Sequence, residues 1–241
     1  MMTFVRLPKG TFYSHTVSGP KLVSRVPVTE DFEIAVHDVT QGQWEAVMGN
    51  NPSWFSRNGK GRVSVLDISD EELKLFPVET VSWDDAQAFI KKLNDRELGR
   101  GYLYRLPTQA EWEYACRGGA TSKEECLYGF YFDKPTNELS SDQANFDGNY
   151  PYGKALLKGK YLERTTRVGA YPSNKLGLCD MHGNVWQWCA DLNDLKEPVR
   201  VICGGSWISH GVNCLAANRM RLTPSNRVHD LGFRLARVPV R

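Results

Sequence analysis

The sequence lacks the features that mark membrane proteins, nucleic-acid-binding proteins and exported proteins. None of its apolar stretches approaches the ~18 residues that a membrane span needs. Its net charge is only +2, and no long run of one sign is present. The first 13 residues contain no uninterrupted apolar signal core. We therefore expect a cytoplasmic protein with no nucleic-acid or membrane partner.

The cysteines also lack the spacing of a zinc site or a secreted disulfide framework. No Cys-x-x-Cys pair occurs, and no His-x-x-x-His pattern accompanies the cysteines. In a cytosolic chain of 241 residues, such thiols are expected to be reduced and mostly buried. The six lie at positions 116, 126, 179, 189, 203 and 214.

The sequence does contain a distinctive stretch at 176–188, LGLCDMHGNVWQW, with neither a helical nor a strand period. Trp186 and Trp188 are two residues apart, so both would face the same side of an extended strand. Gly183 and Asn184 precede them and tolerate positive φ angles. This pattern predicts a buried corner whose polar atoms bind backbone, Asn184, Gln187, ordered water or an ion.

Helix and strand signals surround this corner. Capping residues at Thr40, Ser82 and Thr108 predict three helices that begin just after them. Residues 4–13 and 24–39 have the apolar spacing of strands. The mixture favours an α+β fold.

Four motifs together carry a family resemblance. They are LGLCDMHGNVWQWCAD at 176–191, RLPTQAEWEYA at 105–115, GGSW at 204–207 and LGFR at 231–234. In this order they resemble the signatures of the sulfatase-modifying-factor family, which includes the formylglycine-generating enzymes. The resemblance implies a single compact C-type-lectin-like domain of formylglycine-generating-enzyme type over residues 1–241, rich in irregular structure.

The resemblance also implies a catalytic site, which is incomplete here. The oxidases of this family bind copper(I) through two cysteines in the last segment and oxidise a substrate cysteine. The matching positions in this chain are Ser209 and Cys214. Copper(I) prefers thiolates, and a serine hydroxyl does not replace one. Copper is therefore not expected to bind.

Calcium is the other ion that the resemblance suggests. Asn145, Phe146 and Asn184 match positions that bind structural calcium in the resembling enzyme. The glutamate of the family's corner motif is Gln187 here, and the loss of a carboxylate weakens a calcium site. Calcium is thus an expectation without a complete ligand set, and no other cofactor is implied.

The last segment, 207–234, resembles a second kind of family member. In this segment, residues that match the family alternate with residues of varied type. Relatives often carry asparagine-rich sequence here. The pattern resembles that of the variable proteins of diversity-generating retroelements. Ordinary drift in exposed loops is the alternative explanation. The candidate ligand-binding residues are Trp207, Ile208, Ser209, His210, Asn213, Leu222, Thr223, Val228, His229 and Asp230.

Two functions follow. The first is a module that lacks the paired catalytic cysteines and binds an unknown protein or small ligand through 207–234. The alternative is a copper- or metal-dependent oxidase that acts on a protein cysteine, so enzymatic activity is left open. For the binding surface, we expect residues 208–210 and 228–230 to point outward on one face. The arginines expected to form a partly buried scaffold for this surface are Arg219, Arg221, Arg227 and Arg234.

Overall fold

The computed structural model describes residues 2–15, 23–154, 157–192 and 199–240. The strands are β1 (Phe4–Leu7), β2 (Gly10–His15), β3 (Val23–Val28), β4 (Phe32–Ala35), β5 (Tyr102–Arg105), β6 (Trp186–Leu192), β7 (Arg200–Cys203), β8 (Arg219–Leu222), β9 (Leu231–Gly232) and β10 (Ala236–Pro239). The α-helices are α1 (Gln41–Met48), α2 (Asp70–Leu73), α3 (Trp83–Arg96) and α4 (Gln109–Cys116). Short 3₁₀ turns cover Arg62–Val65, Glu125–Leu127 and Gly211–Cys214.

Two four-stranded sheets and a hairpin organise the described chain. The first sheet has the order β1-β4-β10-β5, so the C-terminal strand lies between strands from the first half of the chain. Ala236 is opposite Ile34 on one side and Arg105 on the other. The second sheet has the order β8-β7-β6-β9, and β2 pairs with β3 separately. No helix in the described part of the chain is long and apolar enough to cross a membrane.

The three predicted helix starts are confirmed. Thr40, Ser82 and Thr108 each form a reciprocal capping box with the residue three positions later. These boxes satisfy backbone N–H groups that the first turn of a helix leaves without partners. The predicted strands are present too, each split in two, with the first break at Pro8–Lys9.

The corner at 183–188 has the predicted geometry. Gly183 and Asn184 both have positive φ angles, 88° and 65°. A side chain at Gly183 would bring its Cβ within 2.3 Å of the Asn145 carbonyl oxygen, so only glycine fits there. Trp186 and Trp188 are buried in the same hydrophobic cluster, as expected for residues two apart in β6.

A buried polar junction lies on the other face of β6. Gln187 Oε1 accepts hydrogen bonds from Trp112 Nε1 at 2.6 Å and Arg234 Nε at 2.7 Å. Its amide Nε2 donates to the Asp180 carbonyl at 2.8 Å. The remaining guanidinium nitrogens of Arg234 donate to backbone carbonyls, including that of Ala35. The Gln187 side chain thus joins α4, the corner and the chain leading into β10.

Asp38 is the carboxylate beside this junction. It is fully buried, and its Oδ2 lies 3.9 Å from Arg234 Nη2. Neither carboxyl oxygen accepts a hydrogen bond from the residues that the structure describes. Burial raises the pKa of Asp38 from 3.8 to about 8, although the positive charge of Arg234 opposes the shift.

The corner should be a large contributor to stability. We expect Trp188→Ala to lower the free energy of unfolding by about 3–5 kcal/mol, because the cavity cannot refill. Leu98→Ala is the control, since Leu98 is 88% exposed. Denaturant unfolding measures both. An unchanged midpoint for folded Trp188→Ala would show that the corner does not organise the core.

Asp38 should make stability depend on pH. Between pH 4 and 8, roughly, the folded state binds more protons at Asp38 than the unfolded state does, because its folded pKa is raised to about 8. The contribution of Asp38 to the free energy of unfolding is therefore lost as pH rises through this range. Asp38→Asn should reduce this decline by at most ~1.4 kcal/mol per pH unit. Denaturant unfolding over this range tests it, with Asp95→Asn on the exposed part of α3 as control. An unchanged slope in Asp38→Asn would contradict it.

Candidate functional site

Hydrogen bonds bring the two candidate segments, 207–214 and 228–230, together. Ser206 Oγ donates to Asp230 Oδ2 at 2.8 Å, and Trp207 Nε1 donates to the His229 carbonyl at 3.3 Å. The turn before them needs Gly205, which has a φ of 75°. A Cβ there would lie 2.5 Å from Cys214 Sγ. Residues more than 20 positions apart in sequence therefore form one site.

The expected outward orientation holds for part of this site. Ile208 and Val228 are 43% and 37% exposed, and His210 is exposed as well. His229 and Asp230 are half-buried. The expectation was wrong for Ser209, which is buried, because its Oγ accepts the backbone N–H of Ser206 at 3.0 Å.

The remaining candidates differ in exposure. Trp207 is buried and lies beneath the surface rather than on it. Asn213 and Leu222 are half-buried, and Thr223 is exposed. The carbonyl of Asn213 accepts the side-chain amide of Asn218 at 2.8 Å. Whether these residues contact a ligand stays a prediction.

Aromatic residues distant in sequence complete the surface. Tyr150, which is 52% exposed, stacks on His210 with ring centroids 3.9 Å apart and planes 19° apart. Trp54 meets the His229 ring edge-on at 5.4 Å. Phe55 packs against His229 from inside. Sequence reasoning missed these residues, although each aromatic follows a turn rich in Asn, Gly or Pro that could have drawn attention to it.

The arginines divide between scaffold and surface. Arg234 is fully buried, as predicted. Arg219 is half-buried, which agrees with the predicted partly buried scaffold, whereas Arg221 and Arg227 are exposed, so the prediction was wrong for these two. Arg227 instead forms a two-point ion pair with Asp85 at 2.6 and 2.8 Å. It thereby attaches the 223–227 loop to the start of α3.

The Cys214 thiol is enclosed. The side chain has no exposed surface, and its Sγ lies 3.9 Å from the His210 carbonyl. Burial raises the pKa of Cys214 to about 12. A protonated, inaccessible thiol is neither a good nucleophile nor a metal ligand at neutral pH.

Comparison with known proteins shows the family of the chain. A model of the sulfatase-modifying factor enzyme 1-like domain matches residues 1–239. The chain belongs to this family. Similar curated proteins include mouse formylglycine-generating enzyme, 29% identical over 90% of this chain and 58% of the relative. The bovine inactive C-alpha-formylglycine-generating enzyme 2 is 34% identical over 67% of this chain and 50% of the relative.

Solved structures show the same fold. Treponema denticola variable protein 1 superimposes with a TM-score of 0.71 at 26% identity, covering 98% of this chain and 94% of that one. The structure of CarF has the same TM-score at 23% identity, which supports the fold alone. The predicted formylglycine-generating-enzyme-type fold is thereby confirmed. The matched part of the chain spans 58% of the length of the mouse relative and 50% of the length of the bovine one.

The two asparagines matched to calcium positions bind each other. Asn145 Nδ2 donates to Asn184 Oδ1 at 3.1 Å, and that oxygen also accepts the Thr166 N–H at 3.0 Å. Phe146 is buried in the hydrophobic cluster beside them. Calcium takes six to eight oxygen ligands, and this arrangement of amides does not fit such a cage. Calcium therefore stays a prediction that these contacts do not support.

His182 has a structural role in the corner. Its Nε2 accepts the Tyr131 N–H at 2.9 Å, so its Nδ1 donates to the Cys214 carbonyl at 2.7 Å. Burial lowers its pKa to about 4, which keeps the ring neutral. Among the described residues, no group of three or more His, Cys, Asp or Glu side chains could hold a metal ion.

Copper chemistry can be tested directly. We expect neither the wild-type chain nor Cys214→Ser to bind copper(I) tightly in competition with a copper(I) chelator, because Ser209 is no thiolate and the pKa of Cys214 is raised to about 12. Neither protein should oxidise a cysteine-containing sulfatase-type peptide. Copper-dependent turnover in the wild type that disappears in Cys214→Ser would contradict this.

Proposed function

We propose that this domain is a ligand-binding or protein-interaction module. Its contact surface, termed here the C-terminal surface, consists of Trp54, Tyr150, Ile208, His210, Val212, Val228 and His229. The observation that carries the proposal is the exposure of five of these side chains on a framework that is otherwise hydrogen-bonded. The exposed side chains are Tyr150, Ile208, His210, Val212 and Val228, and the half-buried Trp54 and His229 lie beside them. Exposed apolar groups clustered in this way are typical of interaction sites.

The composition of the C-terminal surface suits recognition. Aromatic side chains offer a large contact area with few rotatable bonds, and they are enriched at binding hot spots. Tyr150 is fixed by its stacking on His210 and by the bond from Gly211 N to its carbonyl at 2.9 Å. A surface that is ordered before binding loses less conformational entropy on association.

Two relatives support a non-catalytic role. The bovine relative is described as inactive, and the Treponema protein is described as variable. The enclosed Cys214 and the serine at position 209 agree with loss of the oxidase chemistry. The alternative, a copper- or metal-dependent oxidase acting on a protein cysteine, is favoured by the similarity to active formylglycine-generating enzymes.

A peptide selection tests the proposal. We expect a random peptide display library to yield sequences that bind the intact domain. The triple variant Ile208→Ala/His210→Ala/Val228→Ala should bind them at least about tenfold more weakly, because binding energy concentrates in such contacts. Its stability should change by no more than about 0.5 kcal/mol per site, as for most surface substitutions.

The matched control replaces three exposed apolar residues elsewhere. Leu98 lies in the connection between α3 and β5, Leu103 lies in β5 and Val240 follows β10. Their simultaneous replacement by alanine should leave peptide binding unchanged. The proposal fails if no peptide is enriched, or if the selected peptides bind the C-terminal-surface variant as well as they bind the wild type.

A further inference from the structure

A cavity opens beside the C-terminal surface. It has a volume of about 540 Å³ and lies between the 52–60 loop and residues 227–229. Trp54 forms one wall, and Val228 with His229 forms the other. This volume is within the range of ligand-binding pockets. The residues that sequence reasoning assigned to ligand binding therefore border a concave site as well as an exposed surface.

The loop wall of the cavity is closely constrained. A Cβ at Gly59 would lie 2.1 Å from the Trp54 carbonyl oxygen, and one at Gly61 would lie 2.1 Å from the Trp54 ring. Only glycine lets the loop close on Trp54 in this way. From below, the Glu79 carboxylate accepts the Trp54 and Phe55 N–H groups at 3.0 and 2.9 Å.

The floor contains a strained residue. Thr80 has a φ of 62°, a value that a β-branched residue rarely adopts. Its N–H donates to the Val228 carbonyl at 3.1 Å, and its hydroxyl donates to Glu79 at 2.6 Å. Thr80 thus ties the two walls together. Strain of this kind persists where the surroundings impose it, and it concentrates at ligand-binding sites.

The charged residues that line the cavity are both basic. Lys60 and Arg227 line it, and no aspartate or glutamate does. Lys60 is exposed and forms no hydrogen bond or ion pair with the described residues. Arg227 binds Asp85 through Nε and Nη2, which leaves Nη1 for another acceptor. Glu79 lies behind the wall, with its oxygens bound by protein donors.

We infer that this cavity takes an acidic side chain of a partner protein, whose apolar neighbour packs against Trp54 and Val228. The inference rests on the proposed interaction function and names the chemistry of the partner. An ammonium and a guanidinium N–H attract a carboxylate through charge-assisted hydrogen bonds. The Trp54 and Val228 side chains provide apolar contact beside those bonds, so a lone anion would use only half of the site.

Capped dipeptides test this inference on the intact chain. Acetyl-Asp-Phe-amide should bind about tenfold more tightly than acetyl-Asn-Phe-amide, the change expected from one charge-assisted hydrogen bond. Tryptophan fluorescence or chemical-shift titration measures binding. Added salt should reduce this preference because the groups are partly exposed. Equal binding of the two dipeptides would overturn the inference.

A charge reversal provides the second test. Lys60→Glu should abolish the preference for the acidic dipeptide, whereas Lys92→Glu, at an exposed position of α3, should preserve it. Preserved preference in folded Lys60→Glu would overturn the inference. Competition by acetate as strong as that by acetyl-Asp-Phe-amide would also overturn the inference, because the site would then bind small anions in general.

The outcomes separate this inference from the proposed function. Selected peptides that depend on Ile208, His210 and Val228, yet contain no excess of acidic residues and bind Lys60→Glu normally, would overturn only the acidic partner. The absence of any surface-dependent peptide would overturn the interaction module itself. Acid-rich peptides that require both Lys60 and the C-terminal surface would support both.

Discussion

The buried guanidinium of Arg234 is the constraint on which the described fold depends. Taking a charge out of water is costly unless hydrogen bonds replace hydration. Here the replacement comes from the Gln187 side chain and from the carbonyls of Ala35, Val36 and Cys179. Ala35 and Val36 lie at the end of β4 in the first sheet, Cys179 lies in the stretch 176–188 and Gln187 lies in β6. Satisfying one arginine therefore requires that all three be in place.

This junction also sets the position of the C-terminal surface. Residues 228–230 immediately precede β9, whose two residues pair with Trp186 and Gln187 in β6. Gln187 in turn binds both Trp112 and Arg234. A few hydrogen bonds therefore connect the buried Arg234 to the segment that carries the exposed Val228. These bonds explain how an irregular segment can present a defined surface.

The neutral Gln187 changes the charge balance relative to the family's usual glutamate. A glutamate would place its negative charge directly against Arg234. With glutamine there, the nearest carboxylate is Asp38, at 3.9 Å and without hydrogen-bonding donors among the described residues. The positive charge of Arg234 is thus stabilised largely by carbonyl dipoles. The same substitution lets one side chain accept from two donors and donate to the Asp180 carbonyl, which a carboxylate cannot do.

Local rules predicted much of the fold and only part of the site. Helix caps and the Trp-x-Trp spacing are properties of neighbouring residues, so the three capped helices and the buried corner could be read from the sequence. The inward turn of Ser209 depends on Ser206, whose own hydroxyl binds Asp230. That link exists only after long-range folding. The contribution of Trp54 and Tyr150 was hidden for the same reason, since more than 50 residues separate each of them from its histidine neighbour.

The turn at 207–212 alternates between buried and exposed positions. Positions 207, 209 and 211 are buried, whereas 208, 210 and 212 are exposed. The buried positions hold the tryptophan, the inward serine and a glycine that leaves no room for a side chain against Tyr150 and Tyr152. Cys214 follows on the buried side, away from solvent. Side chains at the exposed positions can therefore change without disturbing the core. A segment built this way suits a surface whose specificity varies while its fold does not.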